Sequence, residues 1–341
     1  MNKLITKTHH EHFGFYNGQA VFEFRLTNIH GNYIELTNYG AIVKSIFVPD
    51  VNGKRANVVL GYPNFKGYLS DKAYIGATIG RFSNRIENAA FSIGSQHYQL
   101  DKNDGQNNNH SGFSGFNSKI FDFVLGYDAV TFLLNSPDGE GGFPGNLDAK
   151  VIYKWTDANE LVIEYLAETD KPTPVNFTSH AYFNLSGRNE TIHNHNLYIA
   201  AGSMLESTPQ YIPTGKIIPV GQQGFHGHSL GDVMKDSGLN NFYIFDENMS
   251  VNAPVCVLID DISTRMMQVY TTYPGVQLYT GDFLNSADEG HNGRRYKPFD
   301  GLCLECQFYP DSPNHANFPN TILQPGETYN QSITYTFGIK S

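Results

Sequence analysis

The 341-residue chain is predicted to be all-β, a large many-stranded antiparallel β-sandwich forming one domain over residues 1–341. Three observations predict this. Stretches such as Leu147–Trp155 and Glu160–Thr169 alternate apolar and polar residues with period two, the mark of half-buried antiparallel strands. Aromatic residues make up 13% of the chain alongside 33 Gly and 16 Pro, a composition that favours short strands joined by tight turns. Long amphipathic helical patterns are nearly absent, and only a short helical turn is expected around Asn64–Leu69. A chain of this length buries a large core easily, and large all-β folds often run long as one unit.

The elements follow in order. AVFEFRLTN, NYIELTNYG, IVKSIFVP and NVVLGY read as the first strands, punctuated by turns at His30-Gly31-Asn32 and Asn52-Gly53-Lys54. DAVTFLLNS precedes a turn-rich SPDGEGGFPGN, after which LDAKVIYKW places Val151, Tyr153 and Trp155 on one face. ELVIEYLAET does the same with Leu161, Ile163 and Tyr165. CVLIDD, MQVYTTY, VQLYTG, LCLECQFY and ITYTFGI continue the pattern to the C-terminus. Residues 202–238 are weakly patterned and rich in scattered Pro and Gly, so they are expected to form a loop-rich rim beside a binding site.

Charge and composition narrow the function. The formal net charge is −10, and no Lys/Arg cluster marks a nucleic-acid footprint. No apolar run approaches the ~18 residues of a membrane span. The segment MNKLITKTHHEHFGFY lacks the apolar core of a signal peptide, so a cytoplasmic protein is expected. Cys256, Cys303 and Cys306 cannot form a disulfide framework. Cys303-x-x-Cys306 sits in a strand pattern, where residues three apart face opposite sides, and no second pair completes a zinc site. These are read as packed thiols. His9, His10, Glu11 and His12 superficially resemble a metal site, but near the terminus they are expected to be flexible and exposed. The pairs His193/His195 and His226/His228 lack a carboxylate at a useful spacing.

Two titratable residues stand in apolar strand patterns. His180 lies within PVNFTSHAYFNLSG, and Glu305 lies between Leu304 and Cys306. A carboxylate in such surroundings is rarely buried without a partner or a purpose. The run Thr-Ser-His-x-Tyr-Phe-Asn-Leu around His180 closely resembles the segment that marks the aldose 1-epimerases, the galactose mutarotases. Further segments resemble that family in the same order: Asn84-Arg85-Ile86, the loop GQNNNHSGF with His110, YPGVQLYTGDFL with Gln277, and GLCLECQFYPDSPN with Glu305. SPDGEGGFPG adds a family-like turn, and the resemblance covers nearly the whole chain from Asn38 onward.

The resemblance implies an isomerase that interconverts the α and β anomers of hexoses such as galactose or glucose, on a galactose mutarotase-like sandwich. Glu305 would be the base at O1 and His180 the acid at O5, with Asn84, Arg85, His110, Asn240 and Gln277 binding the sugar. Tyr182, Phe183 and Tyr279 would pack on the pyranose face. Such proton transfers need no metal, nucleotide or redox cofactor. A small-molecule aldose is the expected partner, with no nucleic acid and no membrane, for a monomer or homodimer.

Two departures from the family pattern stand out. Members usually carry an Asp in the segment that here reads Gly238-Leu239-Asn240-Asn241-Phe242, so Asn240 replaces a carboxylate with an amide; Asp246 is too far along to substitute. Ser111 follows His110 where the family has glycine and is expected to restrict the loop. These changes keep two alternatives open. One is an epimerase-family protein for another sugar, a disaccharide or a sugar phosphate bound by Arg81, Lys102 or Arg294-Arg295. The other is a catalytically weak sugar-binding protein.

Overall fold

The computed structural model describes residues 7–234, 237–246 and 253–340. Consecutive strands pair first: Lys7–Tyr16, Gln19–Thr27, Tyr33–Thr37, Ile42–Pro49 and Arg55–Asn57 form a five-stranded antiparallel sheet in chain order. Its turns are built as the sequence signals. Gly53 adopts φ +77°, and Asp50 Oδ1 accepts the N–H groups of Asn52 and Lys54, each at 2.9 Å.

The strongest period-two segments form the middle of a nine-stranded sheet. Its order runs Asp122–Leu125, Ala129–Ser136, Leu147–Trp155, Glu160–Thr169, Tyr329–Ile339, Arg265–Thr271, Cys256–Asp260, His195–Ile199 and His226–Ser229. Val151, Tyr153, Trp155, Leu161, Ile163 and Tyr165 all turn into one core, as their alternation requires. A six-stranded sheet packs onto it, ordered Tyr182–Phe183, Leu302–Gln307, Gly275–Tyr279, Asn240–Ile244, Ser203–Ser207 and Pro213–Pro219. The two layers touch through Phe183 and Tyr335, whose ring centroids lie 4.9 Å apart, and the Tyr335 hydroxyl donates to the Leu304 carbonyl at 3.3 Å. The antiparallel sandwich is thus the fold of the chain, with the expected short helix at Phe65–Ser70.

Three expectations change. The histidine-rich segment His9–His12 is exposed but regular, lying within Lys7–Tyr16, because hydrogen bonds to Gln19–Thr27 hold it extended. Residues 202–238 contain the strands Ser203–Ser207, Pro213–Pro219 and His226–Ser229 and a helical turn at Leu230–Met234. Their period is masked because both faces of these strands carry mixed residues. NVVLGY contributes only Asn57 to a named strand, and its remainder packs as buried irregular chain.

One hydrogen-bond cluster ties the turn that enters the strand Ile42–Pro49 to the large sheet. The buried Tyr153 hydroxyl donates to the Ala41 carbonyl at 2.7 Å and lies 2.9 Å from Thr78 Oγ1. Tyr153→Phe leaves part of that cluster unpaired and is expected to cost about 1–3 kcal/mol in urea unfolding, with the fold retained by circular dichroism.

Candidate active site

Every residue of the strand Leu302–Gln307 is buried. Its pleat divides the side chains between two faces. Leu302, Leu304 and Cys306 enter the main core, whereas Cys303 packs in a separate cluster on the other side and Glu305 faces a cavity. The two thiols therefore face opposite ways, as the strand pattern predicts. Glu305 stands opposite Gln277, and Cys303 stands between Tyr182 and Tyr279. Tyr279 in turn is paired with Asn240. Sheet register alone thus gathers residues more than a hundred positions apart.

His180 reaches this face from an extended segment whose backbone is fixed at both groups: its N–H donates to Ala77 O at 2.8 Å and its carbonyl accepts the Gly76 N–H at 3.0 Å. Its Nε2 lies 3.7 Å from Glu305 Oε1, and its Nδ1 lies 3.4 Å from Cys303 Sγ. His180 is only 4% exposed and Glu305 2%. Burial pushes the Glu305 carboxyl up to about 8, against the pull of the Arg85 charge. Burial also lowers the His180 imidazole to about 4. Glu305 Oε2 has no hydrogen-bond partner among the described residues. An unpaired carboxylate oxygen in a dry site is costly unless a ligand completes it.

Two loops bring the remaining polar groups. Asn84, His110 and Ser111 adopt φ of 62°, 51° and 66°, a conformation that costs L-residues roughly 1–2 kcal/mol. Reciprocal bonds hold them there. The Asn84 N–H donates to His110 Nδ1 at 3.2 Å, and the His110 N–H donates to the Asn84 carbonyl at 3.1 Å. Ser111 does not restrict the loop as expected. It accepts the left-handed conformation, and its hydroxyl accepts from the Phe82 N–H at 2.7 Å and donates to the Phe82 carbonyl at 3.1 Å, bonds that glycine lacks.

His110 is buried, and burial, with the neighbouring His180 and Arg85, holds its imidazole well below the ordinary value. The ring is therefore neutral. Because a backbone N–H donates to Nδ1, its single hydrogen sits on Nε2, making His110 a donor toward the site. This bears on metal binding. His110, His180 and Glu305 each offer a ligand atom within 4.8 Å of the others. With Nδ1 occupied and Nε2 protonated, however, His110 has no free lone pair for a cation, and the trio suits proton transfer and hydrogen bonding instead.

These groups border a cavity of about 630 Å³. Glu305, His180, Asn84, Arg85, His110 and Asn240 all line it, as do Tyr182 and Tyr279. Gln277 does not; its Nε2 donates to Asn240 Oδ1 at 2.6 Å, so it orients the amide that does. Phe183 turns into the core instead of the cavity, because it alternates with Tyr182. Arg85 lies against the wall, where its Nε donates to Asp104 Oδ2 at 2.8 Å and its guanidinium sits 5.2 Å over the Tyr211 ring. Of the cations considered for a phosphate, none lines the cavity. Arg81 is buried and donates to carbonyls of residues 136, 137, 144 and 145; Lys102 pairs with Gln106, and Arg294 with Asp300. Asp246 accepts from the Gly202 N–H, away from the cavity.

Lys72, Tyr74, Asp104, Tyr211 and Phe283 also line the cavity, and no sequence motif marks them. The Tyr74 ring lies 4.7 Å from His110 and 5.7 Å from His180. Phe283, 67% exposed, and Tyr211 form an aromatic lip with centroids 6.4 Å apart. All five sit in loops without periodicity.

A carboxyl and an imidazole, buried side by side below a cavity walled by amides, an arginine and tyrosine rings, equip an enzyme that moves protons on a small polyhydroxylated molecule. Residues 23–336 match the family model described as aldose 1-epimerase. The chain is 39% identical to a galactose mutarotase of Mus musculus over 90% of its length and 91% of that protein's. It is 33% identical to an aldose 1-epimerase of Escherichia coli K12, covering 94% and 96% of the two chains. Its fold superposes on the aldose epimerase homologue from C. elegans with a TM-score of 0.88 at 30% identity, covering 93% of this chain and 98% of that one. The galactose 1-epimerase from Lactobacillus acidophilus gives 0.87 at 25% identity, covering 98% and 100%. The chain belongs to the aldose 1-epimerase family and is an isomerase with that family's mutarotase activity.

The Gln277 contact makes Asn240 testable. Asn240→Asp keeps an acceptor for the Gln277 amide and adds charge-assisted bonding to sugar hydroxyls. Polarimetry is expected to show higher or broader mutarotation; a large loss would mean that Asn240 does not take the family aspartate's position.

Proposed function

We propose that Glu305 is the base at O1 and His180 the acid at O5 in the mutarotation of a hexopyranose such as galactose or glucose. The observation that carries this reading is the unpaired, buried Glu305 carboxyl, 3.7 Å from the His180 imidazole and facing the cavity.

The pair works as a carrier of one proton. In the empty cavity burial favours the uncharged form, with the proton on Glu305 and His180 neutral. Bound sugar hydroxyls and the His110 Nε2–H supply donors to the carboxylate and favour the ion pair, carboxylate with imidazolium. Glu305 then takes the O1 proton while His180 Nε2 delivers its proton to O5. The C1–O5 bond breaks and a C1 carbonyl forms. The enzyme is left in the uncharged form that the dry cavity prefers. After rotation about C1–C2, the O5 hydroxyl returns its proton to His180 and attacks the other carbonyl face, while Glu305 reprotonates O1.

Arg85, Asn84 and Asn240 would hold sugar hydroxyls, Gln277 acting through Asn240, and Tyr182 and Tyr279 would flank the ring. A free aldose is favoured over a sugar phosphate because none of Arg81, Lys102, Arg294 and Arg295 lines the cavity, and the cations that do, Arg85 and Lys72, are respectively paired with Asp104 and exposed. The chain is read as one domain over 1–341, a reading supported by a core cluster that runs from Phe24 to Phe337. Among the described residues no helix is long and apolar enough to cross a membrane. We further read it as a cytoplasmic monomer or homodimer that needs neither nucleic acid nor cofactor.

Glu305→Gln and His180→Gln are each expected to lower mutarotation of freshly dissolved α-D-galactose by about 10²–10⁴-fold. Wild-type rates with either variant would sink the assignment. Below about pH 4 both groups hold protons and no base remains; above about pH 8 both have lost them and no acid remains. The kcat/KM profile is therefore expected to be bell-shaped with limbs near these values, which belong to the pair.

The same carboxyl links stability to pH. Its folded value, about 8, lies above the ordinary 4.5, so across that window the folded state keeps a proton the unfolded chain has released. This contribution is fully present below about 4.5 and is lost as pH rises through 8. Glu305→Gln removes the loss. In urea unfolding the variant is expected to gain up to about 4 kcal/mol on wild type between about pH 5 and about pH 8.5. A constant difference would mean that Glu305 is solvated.

A further inference from the structure

The mechanism leaves one buried group unused. Cys303 and Glu305 are alternate residues of one strand and share a face, and a single imidazole spans both. His180 Nε2 is directed at Glu305 and Nδ1 at the Cys303 sulfur. Among the described residues Cys303 is the one side chain that hydrogen-bonds to the His180 ring, the ring's own backbone carbonyl being the other acceptor within its reach. Cys303 has no solvent exposure, and burial raises its thiol well above the ordinary value, so it stays protonated.

A neutral imidazole carries one hydrogen, and the nitrogen that bears it decides which nitrogen can exchange protons with substrate. We propose that Cys303 is a positioning residue for His180, its sulfur accepting the Nδ1–H and so reserving Nε2 for proton exchange with the sugar. This rests on the assignment of His180 as the acid. With the Nδ1–H held, His180 alternates between imidazolium and the Nδ1–H neutral form, and only the Nε2 proton moves. A thiol sulfur is a weak acceptor. It fixes the tautomer without adding a second negative charge beside Glu305, so it orients the ring without strengthening its hold on the proton. The opposite arrangement, with S–H donating to Nδ1, would leave the hydrogen on Nε2 and deprive the neutral ring of a lone pair there.

The groups around the ring are few. Glu305 faces it from the same strand; His110, Tyr74, Tyr182 and Tyr279 have ring centroids 5.3, 5.7, 5.2 and 6.4 Å away. Arg85 lines the same cavity. The tyrosines are neutral at working pH, burial having raised each of them.

The test uses the full chain with ¹⁵N-labelled histidine, the His180 signals being assigned by their loss in His180→Gln. Long-range ¹H–¹⁵N correlation at neutral pH is expected to give the Nδ1–H pattern for His180; an Nε2–H pattern would overturn the proposal without any Cys303 variant. Cys303→Ala is expected to mix the tautomers and lower kcat by about tenfold with KM unchanged. Cys303→Ser, which keeps an acceptor, is expected to recover both. Cys303→Asp is expected to raise the lower limb of the kcat–pH profile. A folded Cys303→Ala with wild-type kcat and tautomer would overturn the proposal. Full activity in His180→Gln would instead overturn the acid assignment and leave the tautomer result standing.

Discussion

Desolvation of one carboxyl group governs this molecule. Glu305 lies on a strand with no exposed residue, and among the described residues only an imidazole edge and a distant guanidinium offset the loss of water. A core strand would be more stable with an apolar residue there. The large two-layer core is what lets the fold carry such a group. In return, the dry setting favours the uncharged form of both groups, raising the carboxyl and lowering the imidazole, so that the pair shares one proton across the range between them.

The division of labour between sheet and loops follows. Glu305, Cys303, Gln277, Tyr279 and Asn240 are held by strand register, which tolerates little displacement. The groups that line the rest of the cavity come from loops, namely Asn84, His110, Asp104 and the Tyr211–Phe283 lip, and from the two-residue strand that carries Arg85. Several of these loop residues are left-handed without being glycine, among them Tyr74, Asn84, His110, Ser111 and Tyr211. Backbone strain of that kind persists only where surrounding bonds over-determine it. Around His110 the pairing with Asn84 and the Ser111–Phe82 bonds do so.

Much of this was legible in the chain. Period-two segments such as Leu147–Trp155 become central strands because both packing and pattern ask for the same face. Glu305 and His180 were visible as polar residues in apolar runs, and the resemblance carried by their neighbours tied them together. What stayed hidden has a physical reason. Gln277 looks like a ligand-binding residue, yet cross-strand geometry turns its amide onto Asn240, a pairing no local pattern encodes. Phe183 and Tyr182 are adjacent aromatics that only the pleat separates into core and cavity. Tyr74, Tyr211 and Phe283 depend on loop conformations set by distant contacts. The strands Pro213–Pro219 and His226–Ser229 were obscured because edge strands are wetted on both faces and lose alternation.

The three thiols have a consequence beyond the site. Cys256, Cys303 and Cys306 are all wholly buried, and burial raises each one's affinity for its proton. They sit in two different sheets: Cys256 in the nine-stranded layer, the other two in the strand Leu302–Gln307 of the six-stranded layer. In the native protein they are shielded from alkylating and oxidising reagents, since reaction needs an accessible thiolate. Any thiol modification therefore clocks the separation of these layers. The chain carries its own chemical stopwatch for sheet opening, with Cys303 timing the moment at which His180 and Glu305 are exposed.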